Sequence, residues 1–439
     1  MSEKLYDDML TAVLEYQAVP KEVLLAMNKN LCYSQLTLRR AVENGHLRIN
    51  EDRPVRRNNH QLTEKTLTIT RSGIRYLTGV YETDRKRNET DGSGWIRNIS
   101  PDWIKKASVY GRQLADSEVK RVAEMGEAGL MCKLAGMSVS PVPNFWIAGD
   151  GTCSENGEGE RRYSYIEILK RAKGEDGKKQ RDFLMSLNRS NSRELPDGFM
   201  RFLNIRDIKN GFLLNGSRSH DYDRCTAAGI ADSGRRVLML YCHHDIGFKW
   251  ERWSKEVDLK ILGACISRFS ILSNGLDPDM SKCAAVFVKN AQEFKRIYLD
   301  TDGVRRWTEK EGEDFRRDSL GDGLGHLYAI PKNRCGVDML AKLMEYTDAE
   351  VSEYYVRRLA DLPETERDDR YPEVFPVSYR SVPFSVGVFM DIKGMKRMEL
   401  LKARRAVDSF GIFCLDWQIP YYRCIFPESE IIDVEKVLY

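Results

Sequence analysis

Arginines and side-chain amides are concentrated near the start of this 439-residue chain. Guanidinium groups bind phosphates, and amides form hydrogen bonds with base edges. Between Ser34 and Arg75 there are nine Lys or Arg residues and four Asp or Glu residues. These residue types predict a local surface that binds nucleic acid. The residues expected to form it are Gln35, Thr37, Arg39, Arg40, Arg53, Arg56, Arg57, Asn58 and Arg71.

A weaker group of residues could hold a metal ion. A Mg²⁺-dependent nuclease needs an acidic residue at one strand end and a D/E-x-K pair, because carboxylates hold the ion while the lysine polarises the attacking water. Glu167, Asp207 and Lys209 are the candidates. Asp207 and Lys209 lie in a charged segment without a clear strand pattern, so we expect neither catalysis nor a cofactor. Mg²⁺ belongs only to the nuclease alternative.

Other acidic and imidazole side chains follow predicted strands. His243, His244 and Asp245 come after one strand, but no His-x-x-His or Cys-x-x-Cys spacing accompanies them, which favours a polar turn over a metal site. Asp391 and Asp416 fall near the ends of two further strands. A glycine-rich phosphate loop is absent there, so caps at the strand ends are the preferred interpretation.

Three helices and a hairpin are predicted to position the basic residues. Apolar residues spaced three and four apart predict a helix over Leu5–Tyr16, and a break at Ala18–Pro20 precedes a second helix over Lys21–Met27. The third helix is expected to begin at Ser34 as N-cap and to end at Asn44. Gly45 can then adopt the left-handed conformation that stops a helix.

The period changes after this third helix. Leu47–Ile49 and Thr66–Thr70 alternate as strands, and a polar loop with the arginines of residues 53–57 joins them. A helix over Ser72–Val80 closes the predicted module. The segments NGHLRI and LTITRSGIRYL resemble the strand, wing, strand and closing helix of bacterial winged-helix proteins. That resemblance implies that the third helix and the wing bind duplex DNA.

The bulk composition indicates a water-soluble chain of several domains. Its length exceeds what one hydrophobic core usually supports, and its net charge of +3 means that any nucleic-acid binding depends on local surfaces. Ten singly placed cysteines favour reduced thiols, and the acidic N-terminal segment and lack of a long apolar run favour a cytoplasmic protein that does not contact membranes.

The remaining chain reads as mixed helix and strand. The predicted fold class is α/β (mixed α+β, multidomain), with a winged helix-turn-helix at 1–82, a linker at 83–105, an α/β domain at 106–300 and a C-terminal α/β segment at 301–439. Strands are expected at Tyr163–Leu169, Arg236–Cys242 and Ala284–Lys289. After Pro376, the pattern of strand, helix and strand predicts a parallel crossover unit.

Several longer runs resemble proteins of Gram-positive plasmids and conjugative elements, including the replication-relaxation family. The runs are GLMCKLAGMSVSP, RYSYIEILKRAK, RCTAAGIADSGRRVLMLYCHHD, KWERWSKEVDLKIL and GHLYAIPKNRCGVDMLAKL. The resemblance implies a winged helix joined to a domain of restriction-endonuclease-like shape. It also implies a role in the replication, transfer or regulation of a mobile element.

The leading hypothesis is therefore a protein that binds duplex DNA at a specific or preferred site. Two alternatives stay open: a Mg²⁺-dependent nuclease or nickase, and an adaptor whose winged helix binds protein in a mobile-element or defence complex. The partners considered are double-stranded DNA, a second copy of the chain in a homodimer, and other mobile-element proteins.

Overall fold

Mixed helices and strands, arranged in several sheets, make up the part of the chain that the computed structural model describes. Those residues are 2–51, 65–87, 116–140, 146–147, 161–162, 200–205, 227–233, 235–242, 283–300 and 325–438. They confirm the predicted mixed α/β class. The predicted strand Tyr163–Leu169 lies outside them.

The first described segments form a small module with three strands. Its sheet has the order β1-β3-β2, and both pairings are antiparallel. β1 was predicted only as a break in the chain, and it occupies an edge of this sheet, where Pro20 is tolerated although it has no N–H to donate. The elements are α1 (Ser2–Tyr16), β1 (Ala18–Pro20), α2 (Lys21–Leu25), α3 (Leu31–Glu43), β2 (Leu47–Glu51), β3 (Lys65–Ile69) and α4 (Arg71–Arg87).

The two ends of α3 differ in how well the sequence predicted them. The predicted N-cap, Ser34, is wrong: the N-cap is Asn30, whose side-chain oxygen accepts a hydrogen bond of 3.0 Å from the Tyr33 N–H. Ser34 instead lies buried one turn inside the helix. The predicted stop is confirmed, because Gly45 has φ of +70° and donates to the Val42 carbonyl, as expected of a left-handed C-terminal cap.

A long helix, α5 (Asp116–Leu134), packs against α1 and β1. This helix runs through Gly126 and Gly129, although glycine in a helix interior is normally destabilising. A Cβ atom at Gly126 would lie 2.2 Å from the Ala18 carbonyl oxygen, and one at Gly129 would lie 2.5 Å from the Tyr16 ring. Both glycines therefore permit the close approach of α5 to its neighbours.

The chain divides into two compact units. The N-terminal unit comprises Met1–Ala135, His244–Ile246 and Lys332–Asp338, and the C-terminal unit comprises the remaining residues. Within the N-terminal unit, Lys332 Nζ lies 2.9 Å from Glu127 Oε2, and both side chains are fully buried. This ion pair joins residues that are far apart in the sequence.

The C-terminal unit contains a mixed sheet of six strands in the order β11-β10-β9-β8-β7-β4. β7, β8 and β9 form an antiparallel meander, and β10 and β11 continue the sheet in parallel. The predicted strands at 236–242 and 284–289 are confirmed, and every residue of β10 is buried. The strands are β4 (Ser138–Ser140), β7 (Arg201–Asn204), β8 (Gly229–Asp232), β9 (Val237–Cys242), β10 (Cys283–Val288) and β11 (His326–Pro331); β5 (Trp146–Ile147) and β6 (Arg161–Arg162) pair separately.

A second sheet of the same unit has five strands in the order β12-β13-β14-β15-β16. Its first three strands are antiparallel and its last three are parallel, with helices in the two crossovers. The parallel crossover predicted after Pro376 is thereby confirmed. The strands are β12 (Thr365–Arg367), β13 (Val377–Tyr379), β14 (Val382–Val386), β15 (Gly411–Cys414) and β16 (Glu430–Asp433).

Apart from the edge strand β4, the two sheets of the C-terminal unit have the same topology. In each, an antiparallel meander of three strands is followed by two strands that are added in sequence order and in parallel. Antiparallel neighbours can be joined by short turns, whereas parallel neighbours need a crossover. The remaining helices are α6 (Ala291–Asp300), α7 (Arg334–Glu345), α8 (Asp348–Ala360), α9 (Ile392–Ala403), α10 (Ile419–Ile425) and α11 (Val434–Leu438), and residues 334–338 of α7 belong to the N-terminal unit.

Two further expectations concern contact with membranes and the redox state of the cysteines. Among the described residues, no helix is both long and apolar enough to cross a membrane. The seven cysteines that can be assessed are all free thiols, and Cys132, Cys283 and Cys414 are buried.

Candidate nucleic-acid interface

The helix α3 has a buried side and an exposed side. Its buried residues recur at i, i+3, i+4 and i+7, which is one face of an α-helix. They are Ser34, Thr37, Leu38 and Ala41. The opposite side presents Gln35, Leu36, Arg39 and Arg40 to solvent. Packing within the module therefore fixes which side chains of α3 are available to a ligand.

Thr37 does not lie where the sequence placed it. We predicted it on the exposed side with Gln35, but it is buried, and its hydroxyl donates a hydrogen bond of 2.8 Å to the Tyr33 carbonyl. The reason is helical phase, since Thr37 is three residues from Ser34 and four from Ala41 and so shares their face. Leu36 occupies the exposed side in its place.

The two arginines of α3 already have intramolecular contacts. Arg39 Nε donates a hydrogen bond of 2.7 Å to Glu43 Oε1, and both side chains remain largely exposed. This hydrogen bond and the charge of Glu43 raise the pKa of Arg39. The Arg40 guanidinium lies 5.7 Å from the centre of the Tyr6 ring. Exposed ion pairs are weak, so a phosphate could compete for these guanidinium groups.

A cluster of polar aromatic side chains fixes the C-terminal end of α3. The Tyr6 hydroxyl lies 2.7 Å from His46 Nδ1 and accepts a hydrogen bond of 3.1 Å from Asn44 Nδ2. The His46 ring packs on Tyr76 of α4 with 4.7 Å between centroids. Burial lowers the pKa of His46, which favours the neutral ring that can accept from Tyr6. These contacts connect α3 to α1 and α4.

Exposed charge in this module is mainly positive. Glu43 is the one acidic side chain that the structure describes between residues 29 and 75, and it is exposed. An excess of positive charge near α3 suits a polyanionic ligand. The exposed basic residues of the same described stretch are Lys29, Arg39, Arg40, Arg48, Lys65, Arg71 and Arg75.

The predicted wing cannot be located in the structure. Arg53, Arg56, Arg57 and Asn58 lie outside the described residues. The strands on either side of them are described, and the ladder of β2 and β3 extends to the pair Glu51 and Lys65. Hence the two ends of the predicted loop are held side by side. Arg71 is exposed at the first position of α4.

The predicted nuclease residues Glu167, Asp207 and Lys209 also lie outside the described part of the chain, as do His243, His244 and Asp245. In the ranges that are described, no group of three or more His, Cys, Asp or Glu residues is arranged to hold a metal ion. The strand β9 carries no acidic residue.

Asp391 and Asp416 have separate structural roles. Asp391 is the N-cap of α9, rather than a cap at the end of a strand, and accepts hydrogen bonds of 3.1 Å from the Lys393 N–H and the Leu327 N–H. Its second oxygen lies 2.9 Å from His326 Nδ1. Asp416 forms an ion pair of 2.9 Å with Lys436.

A buried polar cluster in the C-terminal unit escaped the sequence analysis. Arg236 is 1% exposed, and its Nη2 lies 2.6 Å from Asp348 Oδ2, which also accepts a hydrogen bond of 2.6 Å from the Tyr328 hydroxyl. Among the residues that the structure describes, the Nε and Nη1 atoms of Arg236 have no hydrogen-bond partner. The His326 ring stacks on Tyr328 with 5.5 Å between centroids.

The pKa values within this cluster reflect competing effects. Burial acts to lower the pKa of His326, but its hydrogen bond with Asp391 and the charges of Asp391 and Asp348 outweigh burial and raise it. Burial acts to raise the pKa of Asp391, while His326 and the backbone N–H donors lower it. Both shifts favour the charged form of the side chain, the imidazolium of His326 and the carboxylate of Asp391. No local pattern marks this pair, because its members are 65 residues apart.

Comparison with known proteins adds no assignment to this geometry. No family model, no curated protein and no solved structure matches the chain.

Proposed function

We propose that the N-terminal module is a winged helix-turn-helix that binds duplex DNA. In this proposal α3 enters the major groove, and the loop between β2 and β3 is the wing that contacts the backbone. The order of elements supports it, since α2 and α3 are joined by a short turn and followed by an antiparallel hairpin. The larger C-terminal unit would serve assembly, DNA wrapping or partner contact.

The observation that carries the proposal is that α3 has one buried side and one exposed side. Its inner side is packed into the module, and its outer side presents an amide and two guanidinium groups at Gln35, Arg39 and Arg40. Such groups suit base edges and phosphates. The excess of exposed basic residues around α3 supports the same ligand.

The first experiment measures binding of the full chain to a fluorescent duplex pool of random sequence at graded salt. Since phosphate contacts release counterions, affinity is expected to fall steeply as salt rises. The double variant Arg39→Ala, Arg40→Ala should bind about tenfold or more weakly at low salt and show a smaller salt slope by about two.

The chain offers a closely matched control on α8. Arg357 forms an ion pair of 2.6 Å with Glu353 four residues away, and the Arg358 guanidinium lies 5.5 Å from the Tyr354 ring centre. The variant Arg357→Ala, Arg358→Ala thus removes the same charges from similar contacts elsewhere. We expect it to bind as the unmodified chain does. Equal binding by both double variants would contradict the proposed interface.

We further propose that the bound site belongs to a plasmid or conjugative element. The support is the resemblance of the sequence runs to proteins of such elements. Selection of bound fragments from sheared plasmid and chromosomal DNA tests this directly. Enrichment of origin or transfer-region fragments is the expected result, and an even distribution over chromosomal DNA would contradict it.

A further inference from the structure

The exposed side of α3 is chemically divided along its length. The first two turns present Leu31, Cys32, Gln35 and Leu36, while the later turns present Arg39 and Arg40. Leu36 is 65% exposed and Leu31 is 54% exposed, and Leu36 has the highest exposure of the large hydrophobic residues in the described ranges. Cys32 lies one turn before Leu36 and is also exposed. The beginning of α3 thus carries an apolar strip beside one amide.

The side chains that usually read guanine lie in the later turns of α3. Arginine reads guanine through a bidentate pair, but Arg39 and Arg40 follow the first two turns of the helix. In a helix-turn-helix, residues of the N-terminal part of the recognition helix contact base edges. The groups that α3 offers there are the Gln35 amide and the Leu36 side chain.

These two groups match the major-groove edge of an A·T pair. A glutamine amide can form two hydrogen bonds with adenine, and an apolar side chain packs on the 5-methyl group of thymine. We propose that α3 selects thymine-containing duplex DNA, with Leu36 against a thymine methyl group and Gln35 on adenine. Arg39 and Arg40 then bind phosphates. This inference rests on the proposed DNA binding and specifies what that interface recognises.

The test separates base recognition from DNA binding in general. A random duplex pool is first selected with the full chain, and the enriched duplex is then synthesised with thymine or with uracil, which differ only by the methyl group. Loss of one buried methyl group is expected to weaken binding about fourfold. Leu36→Ala should bind the two duplexes equally while keeping its salt dependence.

Two variants complete the design. Gln35→Ala is expected to relax the preference for adenine at one position of the enriched site and to leave the others unchanged. Leu299→Ala removes another exposed leucine, in the C-terminal unit, and should keep the full discrimination between thymine and uracil. Since Leu36 and Leu299 are both exposed, neither substitution removes a core contact.

The outcomes are distinct. Discrimination in the unmodified chain that is lost in Leu36→Ala supports the inference. Salt-dependent binding with equal affinity for the thymine and uracil duplexes, or selection of a site made of G·C pairs, overturns the inference and leaves the proposed function standing. Failure to bind any duplex overturns both, and the apolar strip of α3 would then be a surface for protein.

Discussion

At the scale of single residues, the environments of two histidines shift their pKa values in opposite directions. Burial lowers the pKa of His46, so the unfolded chain takes up this proton more readily than the folded chain. His326 behaves in the opposite way, because Asp391 and Asp348 raise its pKa in spite of burial. The contribution of His46 to stability therefore falls as the pH drops below about 6.5, and that of His326 falls as the pH rises above about 6.5.

This difference predicts opposite pH dependences for two local substitutions. His46→Gln should reduce hydrogen-exchange protection of α1 and α3 most near neutral pH and least near pH ~5.5. His326→Gln should reduce protection of β11 and α9 most at the acid end of the same range. Exchange measured by peptide resolves the two units separately. If the loss of protection changed with pH in the same direction at both positions, the proposed environments would be contradicted.

The residues of α3 show what local sequence can and cannot predict. Residue type was enough to select Gln35, Arg39 and Arg40, which are exposed on one side of the helix. The placement of Thr37 failed because the phase of a helix against its module depends on which face is buried. Leu36 was missed because an apolar side chain in a helix is normally taken as core.

At the scale of elements, close packing decides the role of the glycines in α5. Alanine in place of a helical glycine normally stabilises by about 0.5–1 kcal/mol. At Gly126 the added Cβ would lie 2.2 Å from a backbone oxygen, so the helix or β1 would have to move. No local pattern in the sequence indicates this close approach, since the partner of α5 belongs to β1.

We expect Gly126→Ala to destabilise the N-terminal unit by about 1–3 kcal/mol. Gly79→Ala in α4 is the control, because a Cβ there meets nothing within 4 Å, and it should stabilise by about 0.5–1 kcal/mol. Urea unfolding of the full chain, monitored by hydrogen exchange in α1 and α4, measures the stability change of both variants. Stabilisation by both substitutions would show that α5 does not pack closely on β1.

At the scale of the whole molecule, a buried ion pair ties a distant segment into the N-terminal unit. Lys332 and Glu127 are 1% and 0% exposed at the side chain. Removal of one partner takes an ion-pair contact away from a buried charge, which typically costs about 3–5 kcal/mol. Substitution of both partners by apolar residues avoids that cost.

Lys332→Met should therefore destabilise the N-terminal unit by about 3–5 kcal/mol, and the double variant Glu127→Leu, Lys332→Met by clearly less. Denaturant unfolding of the single variants Lys332→Met and Glu127→Leu and of the double variant gives the comparison. If the losses simply add, the two side chains do not act as a pair. The control for the loss of a lysine is Lys396→Met in the C-terminal unit. Lys396 lies over the aromatic ring of Tyr298.

The sequence by itself determined the mixed α/β class, the helices α1 to α4 with the strands β2 and β3, the strands β9 and β10, the crossover unit after Pro376, the Gly45 stop and the basic character of the first module. Periodicity and residue type act over a few neighbouring positions, so these features can be read locally. Only the tertiary structure decided the buried pairs Lys332 with Glu127 and His326 with Asp391, the outer side of α3 and the repeated topology of the two sheets. Each depends on contacts between residues far apart in the chain, which no local pattern encodes.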